Sequence, residues 1–206
     1  MTADDVADFE KVIAGGGIAL FPADTIYGLA VDPESDRAVR RLYELKGRPA
    51  RRPAAVMFFD LESALAALPS LPERTAAALR RLLPGRVTAI VPNPDRRYPL
   101  VCGPDPETLG LRVPDLLSGE IEPLAAMRRP VMQSSANLSG GPEARRLVDV
   151  DPAVRAGVDL EIDGGELPGV ASTVVDLSEF EAAGEHRIAR EGAVPAAEIA
   201  ALLARE

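Results

Sequence analysis

The sequence predicts an α/β fold in the broad, α+β sense: one domain built on a twisted, mixed parallel and antiparallel sheet with helices packed on it. Three observations point there. Short apolar runs of strand length, at residues 18–21, 87–91 and 131–134, recur between glycines and prolines. Stretches with apolar residues at helical spacing lie among them. The two kinds interleave without strict alternation, which argues against a purely parallel sheet. At 206 residues the chain is long enough to bury a real core, and residues 1–206 are read as one unit.

The elements follow in order. Residues 4–14 form a helix, with Val6, Phe9, Val12 and Ile13 on one face and three glycines ending it. Residues 18–21 are a buried strand. Ser35 or Asp36 caps a second helix whose inner face is Val39, Leu42, Tyr43 and Leu45, and Gly47 terminates it. Residues 54–59 are a strand, and residues 61–67 and 72–83 are helical, Pro72 suiting a first turn. After the strand 87–91 comes a proline-rich connection through Pro92, Pro94, Pro99, Pro104 and Pro106. A strand at 109–113 follows at once, so this connection is an ordered loop or lid and not a domain linker. Asp115 opens a helix to about Arg128. Strands follow at 131–134, 158–162, 173–177 and 187–190, and a last helix runs from 195 to 204.

Composition narrows the function. The hydrophobic and charged fractions, 47% and 27%, are those of an ordinary globular protein. A net charge of −9 and a pI near 4.8 argue against a general polyanion binder. Against that background Lys46-Gly-Arg-Pro-Ala-Arg-Arg-Pro53 places four cations, Lys46, Arg48, Arg51 and Arg52, within seven residues. Its two prolines stiffen the backbone. Guanidinium groups held this way suit capture of phosphate or carboxylate, so the loop points to a small anion. The single cysteine, Cys102, excludes an intramolecular disulfide and fits a reducing compartment. The chain opens without a charged-then-apolar leader, and no apolar run reaches the ~20 residues of a membrane helix, which reads as a cytoplasmic protein.

Much familiar machinery is missing. There is no phosphate loop of the Gly-x-x-x-x-Gly-Lys-Ser/Thr type and no dinucleotide fingerprint. His186 is the only histidine, so a histidine-rich metal site is impossible and a Ser-His-Asp triad would depend on that one residue. Hydroxyls and arginines cluster instead at strand ends, in residues 22–29, 109–114, 134–140, 171–176 and 190–193. Ligands of open α/β sheets bind beyond strand ends. Arg112, inside an apolar strand, must meet an anion, either a carboxylate of the protein or one of the ligand.

Five of these motifs occur in order: Pro22-Ala-Asp-Thr-Ile-Tyr-Gly-Leu29, the basic loop, Leu111-Arg-Val-Pro114, Ser134-Ser-Ala-Asn-Leu-Ser-Gly140 and Ser172-Thr-Val-Val-Asp176. In them the chain resembles the Sua5/YciO/YrdC family, in its short YrdC-like form, from about residue 14 to 194. The resemblance implies a sheet around a concave, basic cavity and an L-threonylcarbamoyladenylate synthase. Such an enzyme joins L-threonine, bicarbonate and ATP, releases pyrophosphate, and feeds the N6-threonylcarbamoyl modification of adenosine 37 in tRNA through a downstream transfer machinery. It implies Mg2+ with the ATP. By the same resemblance Lys46 and Arg48 are catalytic. Arg48, Arg52, Thr108, Ser135, Asn137 and Arg190 bind ATP, and Thr25, Arg112 and Ser172 bind threonine. Ala23, Leu83, Arg86, Gln133 and Glu191 depart from the family's usual pattern. The alternatives are a YciO-like nucleotide-binding paralogue and a tRNA- or double-stranded-RNA-binding protein. The acidic total charge and the scarcity of aromatic residues count against the latter.

Overall fold

Local sequence rules account for most elements of the computed structural model, which describes residues 1–49, 52–116 and 121–204; Arg51 of the basic loop lies outside them. Helix α1 (Ala3–Ala14) starts in a capping box, Thr2 Oγ1 accepting from Asp5 N while the Asp5 carboxylate accepts from Thr2 N. It leads into β1 (Ala19–Pro22), which pairs antiparallel with β2 (Tyr27–Val31). Ser35 caps α2 (Asp36–Leu45) by accepting from Ala38 N. Gly47 then takes φ +57°, a left-handed turn that β-carbon-bearing residues resist, and swings the chain into the basic loop. The rest runs β3 (Ala55–Met57), α3 (Leu61–Ala66), α4 (Glu73–Leu82), β4 (Val87–Pro92), β5 (Thr108–Arg112), β6 (Val131–Ser135), α5 (Pro152–Ala156), β7 (Leu160–Glu161), β8 (Thr173–Asp176), α6 (Phe180–Ala183), β9 (Arg187–Arg190) and α7 (Ala196–Leu203).

The strands form one mixed sheet in the order β7-β1-β2-β6-β3-β5-β4-β8-β9. Pairs β1/β7, β3/β5 and β4/β8 are parallel and the others antiparallel. This is the mixed α/β architecture that the interleaved pattern predicts. One face is covered by a core that takes Val39, Leu42 and Tyr43 from α2, Ala78, Leu79 and Leu82 from α4, and Ile199 and Leu203 from α7. On the opposite face Phe9 and Ile13 of α1 pack with Phe21, Phe59 and Met57. That second cluster covers only part of its face. In β4 the burial alternates, with Thr88 and Ile90 on the less covered side. Register places Val174 beside Thr88 and Gly110 beside Ile90 and Ala55, so these residues share one open surface.

Two expectations need correction. The helix expected from Asp115 to about Arg128 is not seen among the described residues of that stretch. The described part of that stretch holds only a 3-10 turn, Glu122–Ala126, and Leu117–Glu120 lie outside the described residues. Pro123 in its first turn and Pro130 restrict the backbone, and Asp115 N is drawn to the Asp24 carboxylate at 3.2 Å. Residues 27–29, read as part of a strand-end motif, instead belong to β2 (Tyr27–Val31), buried at every position. The proline-rich connection is an ordered loop. Buried Asn93 donates to Arg97 O and Pro106 O and accepts from Arg97 N, all at 2.9–3.0 Å.

Candidate active site

The open part of the sheet carries a cavity of about 360 Å³, within the range of small-molecule sites. Its floor is Ala55, Ile90, Gly110 and Val174. A β-carbon at Gly110 would stand 2.7 Å from Ala54 O, so glycine there lets β3 and β5 close under the floor. Polar groups stand around this apolar base. Thr88 and Ser172 share a hydrogen bond between hydroxyls at 2.8 Å. Arg190 Nη2 donates to Ser172 O at 2.7 Å. Packing against the chain desolvates its guanidinium and lowers its pKa, an effect the Arg112 charge reinforces and Glu143 opposes.

A second cleft of about 300 Å³ adjoins the first and shares Arg48, Ser135 and Arg190 with it. It is the more polar of the two and includes Lys46, Arg52 and Asn137. Arg48, half-buried, lies over the Tyr43 ring at 5.7 Å and donates from Nη1 to Ser134 Oγ at 3.0 Å. Its Nε is buried without a hydrogen-bond partner among the described residues, and burial lowers the pKa of the group. Arg52 is exposed at the rim. Lys46 is more confined than a flexible phosphate ligand. Its ammonium is buried and donates to Ser135 O, to Asn137 O at 2.7 Å and to Asn137 Oδ1 at 3.1 Å. Burial, with the Arg48 charge beside it, pushes its pKa down to about 7, while Glu143 pulls the other way. Asn137 in turn accepts from Ser135 Oγ at 2.6 Å and donates to Gly141 O at 2.6 Å. Lys46 thus clamps the Ser-Ala-Asn turn at the cleft wall.

Arg112 has its anion within the protein. It forms a buried ion pair with Asp24 and donates to Thr25 Oγ1 at 2.9 Å. Its Nε, like that of Arg48, is buried without a hydrogen-bond partner among the described residues, and the residue lines the cavity. Thr25 is fully buried behind Arg112 and does not line the cavity, so any effect it has on a ligand passes through Arg112. The other residues singled out in the sequence, Lys46, Arg48, Arg52, Thr108, Arg112, Ser135, Asn137, Ser172 and Arg190, all border one or both clefts. Sequence reasoning missed Asp24, Thr88, Asp105 and Glu143. Asp24 was visible inside a quoted motif, while Thr88 is recognisable only from the β4/β8 register.

Arg52→Ala should weaken binding of a nucleotide triphosphate roughly tenfold or more, since a charge-assisted contact contributes on the order of 1.5–3 kcal/mol. Melting temperature should stay unchanged because the side chain is exposed; calorimetric titration checks the first and thermal denaturation the second.

Comparison with known proteins follows the same outline. A threonylcarbamoyl-AMP synthase from Pyrococcus abyssi is 32% identical over 190 residues, covering 91% of this chain and 54% of that protein. A threonylcarbamoyl-AMP synthase from Chromohalobacter salexigens is 34% identical over 187 residues, covering 87% of this chain and 96% of that one. The crystal structure of P. abyssi Sua5 complexed with L-threonine superposes with a TM-score of 0.85 at 28% identity, over 99% of this chain and 58% of that chain. The chain therefore spans about half the length of some relatives it matches and nearly the whole of others. The family model for Sua5/YciO/YrdC proteins, described as "Telomere recombination", matches residues 11–192, and the chain belongs to that family.

Proposed function

We propose that this chain makes threonylcarbamoyl-AMP from L-threonine, bicarbonate and ATP, with release of pyrophosphate. The observation that carries this reading is the pair of adjoining clefts hinged on Arg48, Ser135 and Arg190. One is cationic and suits a chain of phosphates. The other has an apolar floor with hydroxyls and suits a small polar acid together with a nucleoside. The names of the relatives and the threonine complex of the P. abyssi protein support the assignment.

The chemistry requires no protein nucleophile, in keeping with a site built from arginines and hydroxyls. Threonine and bicarbonate give threonine carbamate and water. A carbamate oxygen attacks the α-phosphorus, the new O–P bond forms, and the bond to the β-phosphate breaks as pyrophosphate leaves. Negative charge collects on the phosphates in that step. Arg48 and Arg190, at the junction, are placed to stabilise it, and the Lys46-clamped turn keeps the wall of the cleft rigid. Mg2+ would arrive on the triphosphate and neutralise part of its charge. Passage of the adenylate to a tRNA-modifying transfer machinery belongs to the same reading. The negative surface should keep direct tRNA binding weak.

Pyrophosphate release measured with each substrate omitted in turn tests this. Release should require ATP, L-threonine and bicarbonate together. The same rate without threonine would exclude the synthase.

A further inference from the structure

Gln133 stands apart from every other buried polar residue. It lies in the middle of β6, is 7% exposed, and lines the larger cavity. Each of the other buried polar or charged side chains among the described residues has a hydrogen-bond partner in the protein. The Gln133 amide has none among the described residues. Unlike the Nε atoms of Arg48 and Arg112, the amide is not enclosed, so its donor and acceptor are open to whatever fills the cavity.

The fold makes room for this side chain. Gln133 pairs with Ala30 on β2 and Ala55 on β3, so small neighbours flank it on both sides. A β-carbon at Gly28 would stand 2.8 Å from Gln133 Nε2, so only glycine there leaves the amide its position. Gln133 borders the cavity that holds Arg112, Thr88 and Ser172 and does not border the cationic phosphate cleft.

We propose that Gln133 is a specificity-determining residue that hydrogen-bonds the amino-acid portion of the substrate and selects for a polar side chain. An amide offers a donor and an acceptor together, which matches a hydroxyl, itself both donor and acceptor. Guanidinium groups take the charged ends of the ligands, and the neutral group takes the neutral polar part. A site built around a buried hydrogen-bonding group rejects an analogue that leaves the group unpaired. This inference rests on the synthase reading and adds the residue that chooses the amino acid.

Gln133→Leu keeps most of the volume and removes the amide. It is expected to raise KM for L-threonine roughly tenfold or more and to shrink the preference for threonine over isosteric L-valine by a similar factor. The ATP dissociation constant should stay within about twofold, because the phosphate cleft is untouched. Melting temperature should not fall, since the amide makes no hydrogen bond to the described residues of the free protein. Gly28→Ala, which crowds the amide, should shift amino-acid selection in the same direction. If the natural chain uses threonine and Gln133→Leu keeps its KM and its threonine-to-valine ratio, the inference fails while the synthase reading stands. A fall in melting temperature with unchanged selection would make Gln133 structural and overturn it as well. If the natural chain releases pyrophosphate without any amino acid, the reading itself fails.

Discussion

Replacing Asp24 by alanine should cost about 3–5 kcal/mol, because it strands the Arg112 guanidinium in the interior without its counter-charge. Against a total stability of about 5–15 kcal/mol, that is enough to leave much of the chain unfolded on warming. Denaturant titration measures the loss directly. The double replacement Asp24→Leu with Arg112→Met should recover most of it, since exchanging both partners of a buried pair for apolar groups is often neutral. Recovered stability would not bring back function. Arg112 reaches the cavity and also holds Thr25 at 2.9 Å, so the double variant should bind ATP but fail to use threonine. Arg112→Lys separates charge from shape, keeping the cation but not the planar fork. It should raise the threonine requirement strongly and the ATP requirement little. Equal losses for both substrates would leave Arg112 with a structural role alone.

The second large effect concerns Lys46. Its ammonium holds two carbonyls and an amide oxygen of the Ser135–Asn137 turn, so Lys46→Met leaves buried acceptors unpaired at about 1–3 kcal/mol each. ATP binding should fall with the turn. The same group gives a pH signature. Burial lowers its pKa from 10.5 to about 7 in the folded chain, so between those values the unfolded chain carries the extra proton. Stability contributed by this group therefore rises with pH across that window. Affinity for ATP moves the other way. A neutral amine has two hydrogens for three acceptors, and triphosphate beside it favours the charged form. Binding at pH 8 should draw a proton from solution, seen as a buffer-dependent enthalpy in calorimetry, and Lys46→Met should abolish the dependence.

Legibility in the sequence was uneven for physical reasons. Helices α1 and α2 were readable because their caps and apolar spacing are local, and α4 from its apolar spacing and the proline before it. Strand β2 was not: with both of its faces covered it lacks the alternation that marks a half-buried strand. The false helix after Asp115 shows the opposite failure, apolar spacing overruled by Pro123 and by the pull of Asp24 on Asp115 N. Site residues were visible as residue types, since the motifs pointed to most of those that border the clefts. Their pairings were not visible. That Arg112 meets Asp24, 88 positions away in sequence, and that Lys46 clamps a turn about 90 positions on, are products of the sheet order.

That sheet order also governs when the protein becomes competent. Strand β6 sits between β2 and β3, so the first third of the chain cannot complete its pairing until residues 131–135 arrive. The cavity wall waits longer still, for β8 and for Arg190 on β9. Pairings this distant are costly to close, which predicts slow folding and no nucleotide binding by a nascent or partly unravelled chain. Under the proposed function only the finished sheet binds ATP, so each molecule held would be a weight on the folded side of the equilibrium. In a cell, nucleotide supply would then set how long the protein survives proteolysis as well as how fast it works.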